Sequence, residues 1–155
     1  LLALTPTDIL PNKRIDINKN YAKIKGEELF LEPKTPKAKR CISIPDFLYD
    51  DIQEYISKLY GIGNNDRIFY FQKTALEKEM KRVSERAGLK PIRVHDLRHS
   101  HASMLIDLGF SPLEIAERLG HESVKTTLDT YSHLYPDKDQ QLADRLNQFR
   151  SSQGK

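Results

Sequence analysis

Hydrophobic and polar positions change rhythm twice along this chain. Residues 1–4, Leu-Leu-Ala-Leu, read as the end of a buried helix. From Arg14 to Ile44 the pieces shorten. Ile15 and Ile17 alternate with Asp16 and Asn18, Leu29 to Leu31 form a brief apolar run, and Ile42 and Ile44 flank Ser43. Alternation of this kind, interrupted by Gly26 and then by Pro33 and Pro36, predicts a three-stranded antiparallel sheet with strands near 14–21, 28–32 and 39–44. The second connection, Pro33 to Arg40, is stiffened by its prolines and projects Lys34, Lys37, Lys39 and Arg40.

Beyond Pro45 the period becomes helical. Leu48, Ile52, Tyr55, Ile56 and Leu59 recur at helical spacing up to Gly61. Thr74 with Glu77 three residues later predicts a capped helix running to about Gly88. A third helix is expected near 95–108, with Leu97, Met104, Leu105 and Leu108 on its buried face and Gly109 as its stop. Ser111-Pro112-Leu113-Glu114 is a strong start for a short helix that ends at Leu119-Gly120. Two more are expected at about 123–132 and 137–150. The fold class is therefore α+β, mainly helical with one small antiparallel sheet.

Composition narrows the picture. At 155 residues, 38% hydrophobic and 30% charged, the chain fits one globular domain rather than a disordered one. Its apolar runs are too short to cross a bilayer. Cys41 has no second cysteine to pair with, and no secretory signal opens the chain, so a reducing cytoplasm is expected. The net charge of +3 is unevenly distributed. Residues 1–45 carry nine Lys/Arg against five Asp/Glu, and residues 81–100 carry six against two. Two separated basic blocks suggest an anion-binding face, although solvated surface lysines would give the same count.

Candidate chemistry gathers at His95-Asp96-Leu97-Arg98-His99. On a helix, His95, Arg98 and His99 share one face in the first turn, where the dipole and unpaired N–H groups favour an anion. A guanidinium there can grip two phosphate oxygens, and an imidazole can donate to a third or move a proton. A metal site is disfavoured, since no third ligand is near and Arg98 would repel a cation. Leu119-Gly120-His121 places an imidazole at a helix-to-helix turn, and Tyr131 follows ten residues later. A tyrosine becomes a phosphoryl nucleophile when its proton is removed and cations stabilise the attacked phosphate. Taken singly, Tyr131 would be a packed helix residue and Lys34 a surface lysine.

Their order is more specific than any one of them. A lysine in a sheet turn, H-x-L-R-H, L-G-H, and a tyrosine ten residues on together resemble the tyrosine recombinases, in particular the catalytic domain of integrases from phages and conjugative transposons. The resemblance spans essentially the whole chain. It implies the catalytic-domain fold and a site-specific DNA recombinase or integrase that works without cofactor or metal. Tyr131 would attack the scissile phosphate and form a 3′-phosphotyrosyl link. Arg98 would hold the non-bridging oxygens, His95 would assist in proton handling, and His121 would hydrogen-bond the phosphate. Lys34 would protonate the leaving 5′ oxygen, with Lys37 and Lys39 as alternatives; P-K-T after the second strand favours Lys34. Lys37, Lys39, Arg40, Arg93 and Lys125 are the candidate DNA-backbone contacts.

Partners implied are double-stranded DNA and, for the full-length protein, a homotetramer on paired sites, in a cytoplasmic, nucleoid-associated setting with no membrane. The family's first catalytic arginine, usually followed by Gly-Glu, belongs just before Leu1. Residues 1–155 are thus expected to be a catalytic domain truncated at its N-terminal side and impaired by itself. The last helix and tail, 137–155, carry Leu142, Leu146 and Phe149 at helical spacing. They would pack on their own domain or exchange between protomers about a hinge at Pro136. The competing reading is a non-catalytic helix–turn–helix module over residues 111–131. Its second helix offers bases only Lys125 and two threonines against Asp129, a poor reader.

Overall fold

A computed structural model describes residues 1–135 and 139–153. Residues 1–4 form a turn closed by Leu4 N–H to Leu1 O rather than the end of a helix. A 3-10 turn at Pro6–Asp8 then leads into strand β1 (Ile9–Leu10) and β2 (Arg14–Ile17). The hairpin strands β3 (Asn20–Ile24) and β4 (Glu27–Leu31) follow, and β5 (Arg40–Ser43) ends the β region. Six helices complete the described chain: α1 (Asp46–Ser57), α2 (Lys73–Arg86), α3 (Asp96–Asp107), α4 (Pro112–Leu119), α5 (Val124–Tyr131) and α6 (Asp139–Gln153).

The expected three-stranded antiparallel sheet is present, in the order β1-β2-β5, with Ile15 opposite Ile42 and Ile17 opposite Arg40. Its membership differs from the sequence expectation: Ile9–Leu10 supplies one strand, the expected strand near 28–32 lies outside the sheet, and the run 14–21 is split. The run 14–21 divides, because Asn18 and Lys19 turn toward the buried Asp8, donating to its carboxylate at 3.1 and 2.6 Å. After that bend, β3 and β4 form a separate two-stranded ribbon. Its two-residue turn, Lys25-Gly26, has φ of 51° and 92°, the doubly positive geometry that suits a tight hairpin. An isolated ribbon is marginal in water. This one is anchored by Arg67, 5% exposed, whose guanidinium lies 3.9 Å over the Tyr21 ring and pairs with Glu28 at 2.9 Å.

Two apolar clusters fill the interior. Ile9, Ile15, Ile44 and Ile68 gather under the sheet, with Ile52, Ile56 and Leu59 of the α1 segment against them. Ala102, Leu105, Ile106, Ile115, Leu119 and Tyr131 form the second, among α3, α4 and α5. The α3 face thus differs from the expected one: Leu105 is buried, but Leu97, Met104 and Leu108 are 46, 51 and 64% exposed. Ala102 and Ile106 take their place. The small Ala102 side chain lets α4 approach closely enough to enclose Ile115 completely.

Helix ends follow local chemistry. Ser111 and Glu114 form the expected capping box of α4, and Gly120 closes that helix at φ 70°. Thr74 does not cap α2, which starts a residue earlier after Gln72; Glu77 pairs instead with Lys73 at 3.5 Å. The hinge residue Pro136 lies outside the described residues. On α6, Leu142, Leu146 and Phe149 are 57, 60 and 62% exposed. Among the described residues, no helix is long and apolar enough to cross a membrane.

Ile115 has no exposed surface, so truncating it should leave a cavity. Ile115→Ala is expected to cost about 2–5 kcal/mol in urea unfolding, against about 1 kcal/mol for removing the Ser111 cap.

Candidate active site

The site is assembled by the first turn of α3, the α4–α5 turn and the end of α5. Asp96, not His95, secures the start of α3. Its carboxylate accepts from the Arg93 backbone N–H at 2.8 Å and from the Arg93 guanidinium at 2.8 Å. These bonds hold its pKa down at about 2. His95 is left exposed, its ring edge-on to His99 with centroids 5.0 Å apart. One turn on, Arg98 is half-buried and donates from Nη2 to the Leu119 carbonyl at 2.7 Å. Burial lowers its pKa, with Tyr131 acting in the opposite sense.

Tyr131 is buried at 4% exposure, with its hydroxyl 2.7 Å from His99 Nδ1. Burial pushes the phenol pKa up, and the charge of Arg98 partly offsets this. His121 follows the left-handed Gly120, and its ring Nδ1 lies 2.8 Å from Thr127 Oγ1. Thr127 is fully buried on α5. Burial, then Arg98, then Arg40 lower the His121 pKa, so its imidazole is neutral at pH 7. The hydrogen bond to Thr127 occupies Nδ1, and Nε2 makes no hydrogen bond to any described residue, so it is the ring nitrogen left to meet an anion.

Arg40 braces this turn from the sheet. Its Nε donates to the Arg118 carbonyl at 2.9 Å and its Nη1 to the Ala38 carbonyl at 3.0 Å. The guanidinium lies so close beneath Gly120 that a Cβ there would meet Nη1 at 2.7 Å, so a side chain at this left-handed position would be strained and would displace the guanidinium. Lys37 reaches the Glu122 carbonyl at 2.8 Å, next to His121, while Lys39 pairs with Glu32 at 3.1 Å. Lys34 is exposed in the same loop and makes no ion pair or hydrogen bond with any described residue. Lys125 is likewise exposed.

The structure therefore brings His95, Arg98, His121 and Tyr131 to one locus, and does not bring Lys34 into contact with any of them. Sequence reasoning passed over three contributors. His99 was placed on the active face but not linked to Tyr131. Thr127 looked like an ordinary helix threonine, and its one signal was a polar residue on the buried side of α5. Arg118, which donates to His101 Nε2 at 3.1 Å and to the Ser43 carbonyl at 3.0 Å, gave no signal. Among the described residues, no group of three or more His, Cys, Asp or Glu is placed to hold a metal ion.

Residues 10–138 match the phage integrase family, and the chain belongs to it. It is 36% identical over 146 residues to the ICEBs1 integrase of Bacillus subtilis (strain 168), covering 86% of this chain and 40% of that protein. It is 29% identical over 167 residues to the integrase of Staphylococcus phage L54a, covering 96% and 47%. The chain thus spans less than half the length of these relatives. Among solved structures, a Tn1549 transposon integrase in complex with circular intermediate DNA superposes with a TM-score of 0.77 at 20% identity, covering 92% of this chain and 52% of that one. XerA recombinase gives 0.63 at 22% identity, covering 96% and 50%. The fold is that of the tyrosine recombinase catalytic domain.

His121 and His101 both have folded-state pKa values below the ordinary histidine value of 6.5, through burial and neighbouring arginines. Below that value the unfolded chain binds more protons than the folded one, so this contribution is complete above it and is lost as pH falls. The urea midpoint should therefore drop between pH 7.5 and 5.5, and drop less in His101→Gln. Asp8, Asp96 and Glu114, all held low, act only at more acidic pH. A midpoint that is unchanged or rises on acidification would contradict this.

Proposed function

We propose that this chain is the catalytic domain of a site-specific DNA recombinase that cuts and rejoins strands through a 3′-phosphotyrosyl intermediate. The observation that carries the reading is the convergence of Tyr131, Arg98 and His121 at the junction of α3, α4 and α5. Tyr131 Oη attacks the scissile phosphorus, and the bond to the 5′ oxygen breaks. Arg98, with one N–H committed to the Leu119 carbonyl, turns its remaining donors to the non-bridging oxygens. His121 donates from Nε2 to the same phosphate, and His95 assists in proton handling. The protein–phosphate ester keeps the bond energy, so religation by the free 5′ hydroxyl needs no nucleotide cofactor, and the fixed cations stabilise the phosphate without calling on a metal.

Lys34 is preferred as the acid for the leaving 5′ oxygen, because Lys37 and Lys39 are already engaged by Glu122 and Glu32. DNA affinity is assigned to surface cations including Lys37, Lys39, Arg93 and Lys125, whose contacts are salt-dependent. Arg40, half-buried on carbonyls, acts from beneath as a brace with its charge directed at the phosphate site. The full-length protein would act as a homotetramer on paired double-stranded sites in the cytoplasm, associated with the nucleoid. The apolar stripe of α6 would dock on a neighbouring protomer. The helix–turn–helix alternative is not favoured, since α5 buries Thr127 and Tyr131 and offers bases little beyond Lys125.

In the full-length protein, Tyr131→Phe should abolish the covalent adduct with a nicked suicide substrate while DNA binding stays within about threefold. An adduct that persists would remove Tyr131 as the nucleophile. The double substitution Leu142→Asp with Leu146→Asp should leave the unfolding midpoint of the monomer unchanged and prevent assembly on paired sites. A lowered midpoint instead would place α6 on its own domain.

A further inference from the structure

The proposed reaction requires the Tyr131 phenol to lose a proton in a place that disfavours losing it. Tyr131 is 4% exposed and burial raises its pKa, so spontaneous ionisation does not supply the nucleophile. The nitrogen in hydrogen-bond contact with that hydroxyl is His99 Nδ1, at 2.7 Å, with ring centroids 5.8 Å apart. His95 is one turn earlier on α3 and exposed, and its ring meets His99 rather than Tyr131. A base must first be within reach of the proton it takes, and among the described side chains only His99 hydrogen-bonds to this hydroxyl.

We propose that His99 is the catalytic base for Tyr131, receiving the phenol proton at Nδ1 as Oη attacks phosphorus. This rests on the reading of Tyr131 as the nucleophile. The Oη–H bond breaks and its proton passes to Nδ1, which until then carries none. The Oη–P bond forms, the bond from P to the 5′ oxygen breaks, and that oxygen takes a proton from Lys34 Nζ. In rejoining, the 5′ hydroxyl returns its proton to Lys34, and His99 returns its own to the departing Tyr131 Oη. Charged and titratable groups around the imidazolium are His95, Asp96 and Arg98 on α3 and Tyr131 on α5. Of these, the Asp96 carboxylate favours it: the two interact electrostatically, and Asp96 stays ionised throughout the working range. Arg98 opposes it and is itself drawn toward the phosphate.

The test uses the full-length protein and single-turnover cleavage of a nicked suicide substrate. His99→Asn puts an amide oxygen near the Nδ1 position, which accepts the hydrogen bond but cannot take the proton. Cleavage should slow by about 100-fold with DNA binding unchanged. Replacing Tyr131 by 3,5-difluorotyrosine, a more acidic phenol, should restore about tenfold or more of the rate in His99→Asn and change the parent protein little. Cleavage by His99→Asn at the parent rate would overturn the proposal. So would equal slowing with both phenols, which would make His99 a support for the ring alone. An adduct in Tyr131→Phe would instead remove the nucleophile reading beneath it. Should His99→Asn fail to bind DNA, His99→Gln takes its place in the same comparison.

Discussion

The contact on which this architecture turns is the Arg40 guanidinium lying beneath Gly120. The sheet and its α1 cover have one apolar cluster, the α3–α5 bundle has another, and the two share no buried residue. Polar bonds make the junction: Arg40 to the Arg118 carbonyl, Arg118 to the Ser43 carbonyl, and Lys37 to the Glu122 carbonyl. Such bonds are directional, so they fix orientation as well as proximity. They hold the loop that carries Lys34 against the turn that carries His121. The left-handed glycine is what allows this approach, because any side chain there would strike the guanidinium.

The same junction sets the electrostatics. Arg40, Arg98 and Arg118 sit near one another, and none forms an ion pair with a carboxylate among the described residues; their N–H groups rest on backbone carbonyls and one imidazole. Carbonyl dipoles satisfy the hydrogen bonds but do not neutralise the charge, so Arg40 is disfavoured by burial and by its two neighbours. A phosphate entering between Arg98 and His121 would relieve that repulsion. The arrangement thus holds its cations in place before any anion arrives, which is the economical way to stabilise charge that develops during a reaction.

Much of this was readable beforehand because it depends on local rules. The α4 capping box needs only Ser111 and Glu114 three residues apart, and the stop at Gly120 needs only a residue that tolerates positive φ. The order of His95, Arg98, His121 and Tyr131 was visible as text. What failed did so where nearby sequence was a poor guide. The 14–21 strand broke because Asp8, ten residues away, draws Asn18 and Lys19 out of line. The α3 core face shifted because a small alanine, rather than the larger leucines and methionine, meets the neighbouring helix. Thr74 lost its cap role because the helix found its first turn a residue earlier.

Sequence by itself determined most of the helical segments, the family and the candidate site residues, because propensity, capping and motif spacing act over a few residues. Only the tertiary structure decided which groups face one another. His99 and Tyr131 are 32 positions apart, and Arg40 and Arg118 are 78 apart. No local pattern encodes such pairs. They exist because packing Ala102 and Leu105 of α3, Ile115 and Leu119 of α4 and Tyr131 of α5 into one cluster brings three helices together, and because the left-handed glycine lets the sheet approach the turn that His121 occupies.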